Sequence, residues 1–238
     1  MMANLAAVPR EGDEASRLVA DGAVGVADIL RRMGPGVFVV IEGGEGAGKS
    51  RLLASLAEEF ARGSREVVLT REPGGTALGE RIRELVLAEA AVGDPLTELL
   101  LFEAARAHLV STVIGPAVER GAVVLCDRFA ASSTAYQGYG RGLGRELVER
   151  ANAIATAGLT PDLTILLDAP VEVGLGRRAG EGARNHFDAE TVAFHQRVRE
   201  GFLELAREGG PGWAVIDASR PFEEVARDAA SAVAAAVL

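Results

Sequence analysis

Lysine is almost missing from this chain. Of 25 basic residues in 238, only Lys49 is lysine, and all the others are arginine. Lys49 follows a glycine, so the Asn-Lys-x-Asp pattern by which GTP-switch proteins read guanine cannot occur, and that class is excluded. Cysteine is equally scarce. The single Cys126 rules out an intramolecular disulfide and, set in an apolar run, reads as a buried core thiol. Positive charge is in deficit, with a formal net charge of -9, which argues against a nonspecific nucleic-acid binder needing a basic face. No apolar stretch approaches the roughly 20 residues that span a bilayer, and no basic segment followed by an apolar one opens the chain. These absences lead us to expect a cytoplasmic protein with neither membrane nor nucleic-acid partner.

The one lysine sits where arginine serves poorly. Gly43-Gly44-Glu45-Gly46-Ala47-Gly48-Lys49-Ser50 fits the phosphate-loop pattern G-x-x-x-x-G-K-[ST]. A compact ammonium on a flexible stem reaches β- and γ-phosphates in a space where a planar guanidinium fits badly. Residues 36–41 form a short apolar, β-branched run of the kind buried on both faces of a sheet. Beyond Lys49, Leu52, Leu53, Leu56, Ala57 and Phe60 recur at helical spacing. Strand, glycine loop and amphipathic helix together predict converging backbone N–H groups and a helix N-terminus facing phosphate, with the Ser50 hydroxyl available to Mg²⁺. The chain is expected to bind a nucleoside triphosphate.

With 48% hydrophobic residues the chain has material for one core. Residues 1–33 hold glycines and mixed charge and read as a flexible or loosely docked extension, leaving 34–238 as the nucleotide-binding domain. Four further apolar runs, 66–70, 122–126, 163–168 and 213–217, alternate with helix-like segments. This rhythm predicts an α/β fold, a five-stranded parallel sheet with helices on both faces and ligands at the carboxyl ends of the strands. Glu42, Arg71, Asp127, Arg128 and Asp168 all end or follow a strand. The alanine-rich stretch 225–238 reads as a terminal core-packing helix.

Four segments narrow the substrate: Thr70-Arg71-Glu72-Pro73-Gly74-Gly75-Thr76, Leu101-Phe102-Glu103-Ala104-Ala105-Arg106, Asp127-Arg128-Phe129 continuing through Ser132 to Tyr136-Gln137-Gly138, and Leu167-Asp168-Ala169-Pro170. With the phosphate loop, in this order over about residues 36–220, they resemble the thymidylate kinases, which phosphorylate dTMP to dTDP. The resemblance implies a P-loop nucleoside monophosphate kinase fold with a mobile lid, ATP as phosphoryl donor, and a homodimer. Arg71 and Arg128, at strand ends, suit a two-arginine clamp on the acceptor phosphate, the use the family makes of them. Phe102 and Arg106 are four apart and share a helical face. The family stacks the matching aromatic on thymine and bonds O4 with the matching arginine. Tyr136 matches the tyrosine beneath the deoxyribose, Ser133 and Gln137 match base or sugar contacts, and Glu45 matches an acidic residue aimed at the acceptor sugar. Asp127, with Ser50, is placed to organise Mg²⁺.

Phosphoryl transfer needs alignment and charge neutralisation more than a general base. Gly46 stands where some members carry a loop arginine, so the resemblance assigns that charge to the lid, about 177–188, through Arg177, Arg178 and Arg184 taken together. The lid departs from the common Asp-Arg-aromatic-Glu ending and reads Asn185-His186-Phe187-Asp188. A histidine with a pKa near about 6.5 is a weaker phosphate ligand than arginine. Two other readings remain at this point: a kinase for another pyrimidine deoxynucleotide or a modified thymidylate, and a catalytically weak nucleotide-binding regulator.

Overall fold

The computed structural model of the chain is described over residues 36–62, 65–88, 93–179 and 187–237. The expected extension, 1–33, lies outside the described residues. Five strands, β1 (Val37–Gly43), β2 (Val67–Arg71), β3 (Val123–Asp127), β4 (Leu163–Asp168) and β5 (Trp213–Asp217), form one sheet in the order β2-β3-β1-β4-β5, with every pair parallel. All seven residues of β1 are buried, as a central strand covered on both faces requires. The edge strands differ. Leu69 of β2 is 50% exposed and Val215 of β5 is 52% exposed, because each edge has a neighbour on one side only.

Alternation along β1 divides the core. Val37, Val39 and Ile41 face one layer with Leu52, Leu56 and Phe60 of α1 (Lys49–Ala61) and with Val225, Ala229 and Val233 of the C-terminal helix α9 (Phe222–Val237). Phe38 and Val40 face the other layer, with Leu109, Ile114, Ala117, Val124 and Cys126. Cys126 is a buried free thiol, as its apolar run predicted.

Between β2 and β3 the chain forms α2 (Ala77–Leu87), α3 (Pro95–Leu109), a π-helical turn (Val110–Ile114) and α4 (Gly115–Glu119). Thr76 caps α2 by accepting from Gly79 N at 2.9 Å. Asp94 caps α3 by accepting from Thr97 N at 2.8 Å, with Pro95 set at the first helical position where its missing N–H costs nothing. The run Pro95–Glu119 corrects one expectation: it is 25 residues long and contains an 18-residue window of mean hydropathy 1.2, long and apolar enough by that measure to cross a bilayer. Its buried residues include Leu99, Ala105, Leu109, Ile114 and Ala117, but also Glu98, Glu103 and Arg106, whose charges are paired within the protein. It is a core helix carrying part of the site.

After β3 come α5 (Ala130–Ser133), a π-helical segment (Thr134–Gly140) and α6 (Arg145–Thr156); α7 (Val171–Ala179) follows β4, and α8 (Val192–Gly209) precedes β5. Tyr136, Phe194, Val198 and Phe202 pack as a third apolar cluster against Leu166 of β4. Because every strand is parallel, the loops after β1, β2 and β3 open at one end of the sheet, and the connection from β3 to β4, which crosses β1, sets there the reversal of strand order at which α/β folds place ligands.

Candidate active site

The donor side is built from backbone. Gly46 and Gly48 take φ of 64° and 92°, conformations that L side chains rarely adopt. Gly46 is required for a second reason: a Cβ there would lie 2.0 Å from the carbonyl oxygen of Gly174 on α7. The approach is mutual, since a Cβ on Gly174 would meet the Glu45 carbonyl oxygen at 2.3 Å. A loop arginine at position 46 is excluded by this packing, whatever the chemistry asks for.

Lys49 Nζ donates to the carbonyls of Gly43 at 3.1 Å and Gly44 at 2.7 Å, and so spans the loop it serves. Burial, and then the cation of Arg128, pull its pKa down to about 8. Ser50 Oγ donates to Asp127 Oδ2 at 3.0 Å. A hydroxyl and a carboxylate oxygen side by side suit a hard cation whose other ligands come from phosphate and water. Among the described residues no group of three or more His, Cys, Asp or Glu could hold a metal ion. These residues line a cavity of about 640 Å³ that also exposes Arg71, Arg128 and Arg178.

The acceptor side is built from side chains. A smaller cavity is lined by Phe102, Arg106, Ser133, Tyr136 and Gln137, so the structure brings all five predicted base and sugar residues together. It shares Glu45, Glu72, Arg83 and Arg128 with the larger cavity. Glu42, fully buried at the end of β1, accepts from Phe129 N at 2.9 Å and Ser132 Oγ at 2.6 Å. That tether holds the turn after β3, in which Arg128 adopts a left-handed φ of 71°. From there the Arg128 guanidinium reaches Gly43 O at 3.0 Å, Glu45 Oε1 at 2.9 Å and the Tyr136 hydroxyl at 3.1 Å. Tyr136 in turn donates to Glu45 Oε1 at 2.8 Å. Burial raises the pKa of Glu45, but Arg128 and Lys49 outweigh it and hold the value at about 2.

Several expectations change in detail. Arg71 and Arg128 are expected to clamp the acceptor phosphate, yet each already has its own carboxylate: Arg71 pairs with Glu80 at 3.0 Å and Arg128 with Glu45. An acceptor phosphate would have to draw them from these partners. Arg106 is 1% exposed and spends its N–H groups on protein, bonding Glu72 at 2.8 Å, Glu103 at 2.6 Å, Asn152 at 2.7 Å, Phe129 O at 3.2 Å and Ser133 Oγ at 3.1 Å. A base contact from it would have to share a nitrogen with these protein partners. The two described lid arginines also separate. Arg178 lines the larger cavity while pairing with Asp188 at 3.0 Å, whereas Arg177 donates to Ala218 O at 2.9 Å after β5. Arg184, Asn185 and His186 lie outside the described residues.

Sequence reasoning missed four contributors. Glu72 is buried at the junction of the cavities, and burial lifts its pKa to about 7 against the pull of Arg106. Arg83 lines both cavities and donates to Pro73 O at 3.0 Å. Phe187 packs on Phe102 at 6.2 Å and Tyr136 at 5.7 Å between ring centroids. Gly174 permits the loop to close on α7. Glu72 and Phe187 stood inside recognised segments, but nothing local marked Arg83 or Gly174.

Comparison with known proteins decides among the readings. The family model described as thymidylate kinase matches residues 41–229. The chain belongs to the thymidylate kinase family. A thymidylate kinase of Deinococcus radiodurans is 48% identical over 201 residues, covering 84% of this chain and 98% of the relative. One of Desulfovibrio desulfuricans is 50% identical, covering 84% and 95%. The crystal structure of thymidylate kinase from Ehrlichia chaffeensis superposes with a TM-score of 0.64 at 34% identity, over 77% of this chain and 93% of that one. Within this family the five-stranded parallel sheet and phosphate loop are those of an ATP-dependent nucleoside monophosphate kinase.

Proposed function

We propose that the chain transfers the γ-phosphoryl group of ATP to dTMP, giving ADP and dTDP, with the phosphate loop as donor site and the Phe102–Tyr136 cavity as acceptor site. The observation that carries this reading is the shared wall: the two cavities meet at Glu45, Glu72, Arg83 and Arg128, where the phosphates of two nucleotides would face one another. Lys49 and the loop N–H groups bind donor phosphate, and Arg71 and Arg128 exchange their carboxylates for acceptor phosphate. Arg178 is the described lid residue placed to neutralise charge in transfer. Ser50 and Asp127 would hold Mg²⁺, which would supply positive charge against the donor phosphates. Tyr136, 5% exposed and fixed by Glu45 and Arg128, would fill the space of a 2′-hydroxyl. We read the enzyme as a homodimer, as the family resemblance implies, and place it in the cytoplasm with its substrates.

A panel of nucleoside monophosphates with ATP and Mg²⁺ tests the reading. dTMP should give the highest kcat/KM and its ribose counterpart a clearly lower one, with Tyr136→Ala narrowing that gap. A panel in which dTMP is no better than the other acceptors would remove the assignment.

A further inference from the structure

Behind the acceptor cavity lies a chain of polar groups that the transfer reaction does not require. Gln137 lines the cavity, and its Nε2 donates to Glu98 Oε1 at 2.8 Å. Glu98, on the first turn of α3, is buried to 6% side-chain exposure and lines neither cavity. Arg141, just past the π-helical segment, grips both of its oxygens, Nε to Oε1 and Nη2 to Oε2, each at 3.2 Å. Arg141 is itself fixed: it pairs with Glu190 and lies over the rings of Phe187 at 5.4 Å and Phe194 at 4.9 Å. A carboxylate gripped in this way can only accept, so the NH₂ end of Gln137 must face it. The amide then has one orientation, with its carbonyl oxygen turned away from Glu98 on a residue that lines the base cavity.

We propose that Glu98 and Arg141 are positioning residues that lock the Gln137 amide so that a carbonyl acceptor faces the acceptor base, and that this lock excludes cytosine. The inference rests on the dTMP reading. Thymine presents N3–H, a donor, beside O4; cytosine presents N3 as an acceptor beside an NH₂ donor. A fixed carbonyl bonds the first and repels the lone pair of the second. An amide free to flip would serve either ring, because its two ends are nearly the same size. The buried pair therefore converts a glutamine, which alone is indifferent, into a reader of one hydrogen-bond pattern. Discrimination of this kind is strong because a mismatch leaves a buried polar group unpaired.

The test is kcat/KM for dTMP and for dCMP with ATP and Mg²⁺, in wild type, Glu98→Gln, Gln137→Leu and the double variant. Glu98→Gln permits both amide orientations, and its dTMP-to-dCMP ratio should fall about 10-fold or more, whereas a purely structural role would slow both acceptors in proportion. The double variant should discriminate no less than Gln137→Leu alone, because Glu98 acts through Gln137. Should Glu98→Gln fail to fold, Arg141→Lys keeps the charge but loses the two-point grip, and its ratio should fall as well. A wild type preferring dTMP with an unchanged ratio in Glu98→Gln, or in Arg141→Lys if that is the variant that folds, would overturn the lock alone. A wild type with no preference for dTMP over dCMP would overturn the thymidylate reading itself.

Discussion

The two halves of the site are made of different material. The donor half is eight consecutive residues, 43–50, whose carbonyls and positive-φ glycines set the shape and whose lysine bonds its own loop. The acceptor half draws on β2, α3 and the segment after β3, and each of its polar side chains holds another: Arg106 holds Glu72, Glu103 and Ser133, Glu98 holds Gln137, and Arg128 holds Tyr136. On the proposed reading the backbone cradle recognises what all triphosphates share. The side-chain network would recognise one base and one sugar, and it can fail one member at a time. Glu45 joins the halves, since it belongs to the loop yet bonds Arg128 and Tyr136.

The largest expected effect breaks the donor half alone. Lys49→Ala should lower kcat by about 10²–10³-fold while circular dichroism and the melting curve stay near wild type, because the change deletes a buried charge whose partners are loop carbonyls. A variant that retained most of its kcat at saturating ATP would remove Lys49 from phosphate chemistry. Gly46→Ala sharpens the claim that backbone carries this half. The added methyl needs the space of the Gly174 carbonyl at a φ of 64°, so ATP affinity should drop, on the order of 10-fold or more, with dTMP affinity little changed. Equal weakening of both nucleotides in separate titrations would show that the halves are not separable there.

The same contrast explains what could be read from the sequence. The phosphate loop was legible because its reasons are local: strand, glycines, lysine and helix follow one another. The five strands were legible as apolar runs, with observed ends differing from the expected ones by at most two residues, as at 36–41 against Val37–Gly43. Gly174 was not legible, because its reason is a carbonyl contributed by a distant loop. Nor was the full pairing of Arg106. Its match to an aromatic-to-arginine helical spacing suggested a free base contact, and only folding brings Glu72 and Asn152 against it. The two π-helical segments also escaped, since i to i+5 bonding leaves no period in the residues.

A smaller effect follows from protonation. In the free loop Lys49 has its pKa lowered to about 8, from 10.5, by burial and by Arg128. Bound phosphates would raise it again. Below pH 8 the ammonium is already present, and above it ATP binding must first take up a proton. Affinity for ATP should therefore decline as pH rises past about 8, by less than tenfold per unit, and calorimetry in buffers of different ionisation enthalpy should show proton uptake on binding. A flat affinity from pH 7 to pH 10 would place the lysine charge outside this linkage.

The central claim, that a backbone donor cradle stands apart from a side-chain acceptor network, is tested most directly by titrating both nucleotides into Arg106→Met. Removing a buried guanidinium and stranding Glu72 and Glu103 should cost about 3–5 kcal/mol of stability, so the titration is run well below the melting temperature. The account predicts that dTMP affinity falls at least about 10-fold while ATP affinity stays within about twofold of wild type. ATP affinity falling in step with that of dTMP would contradict it.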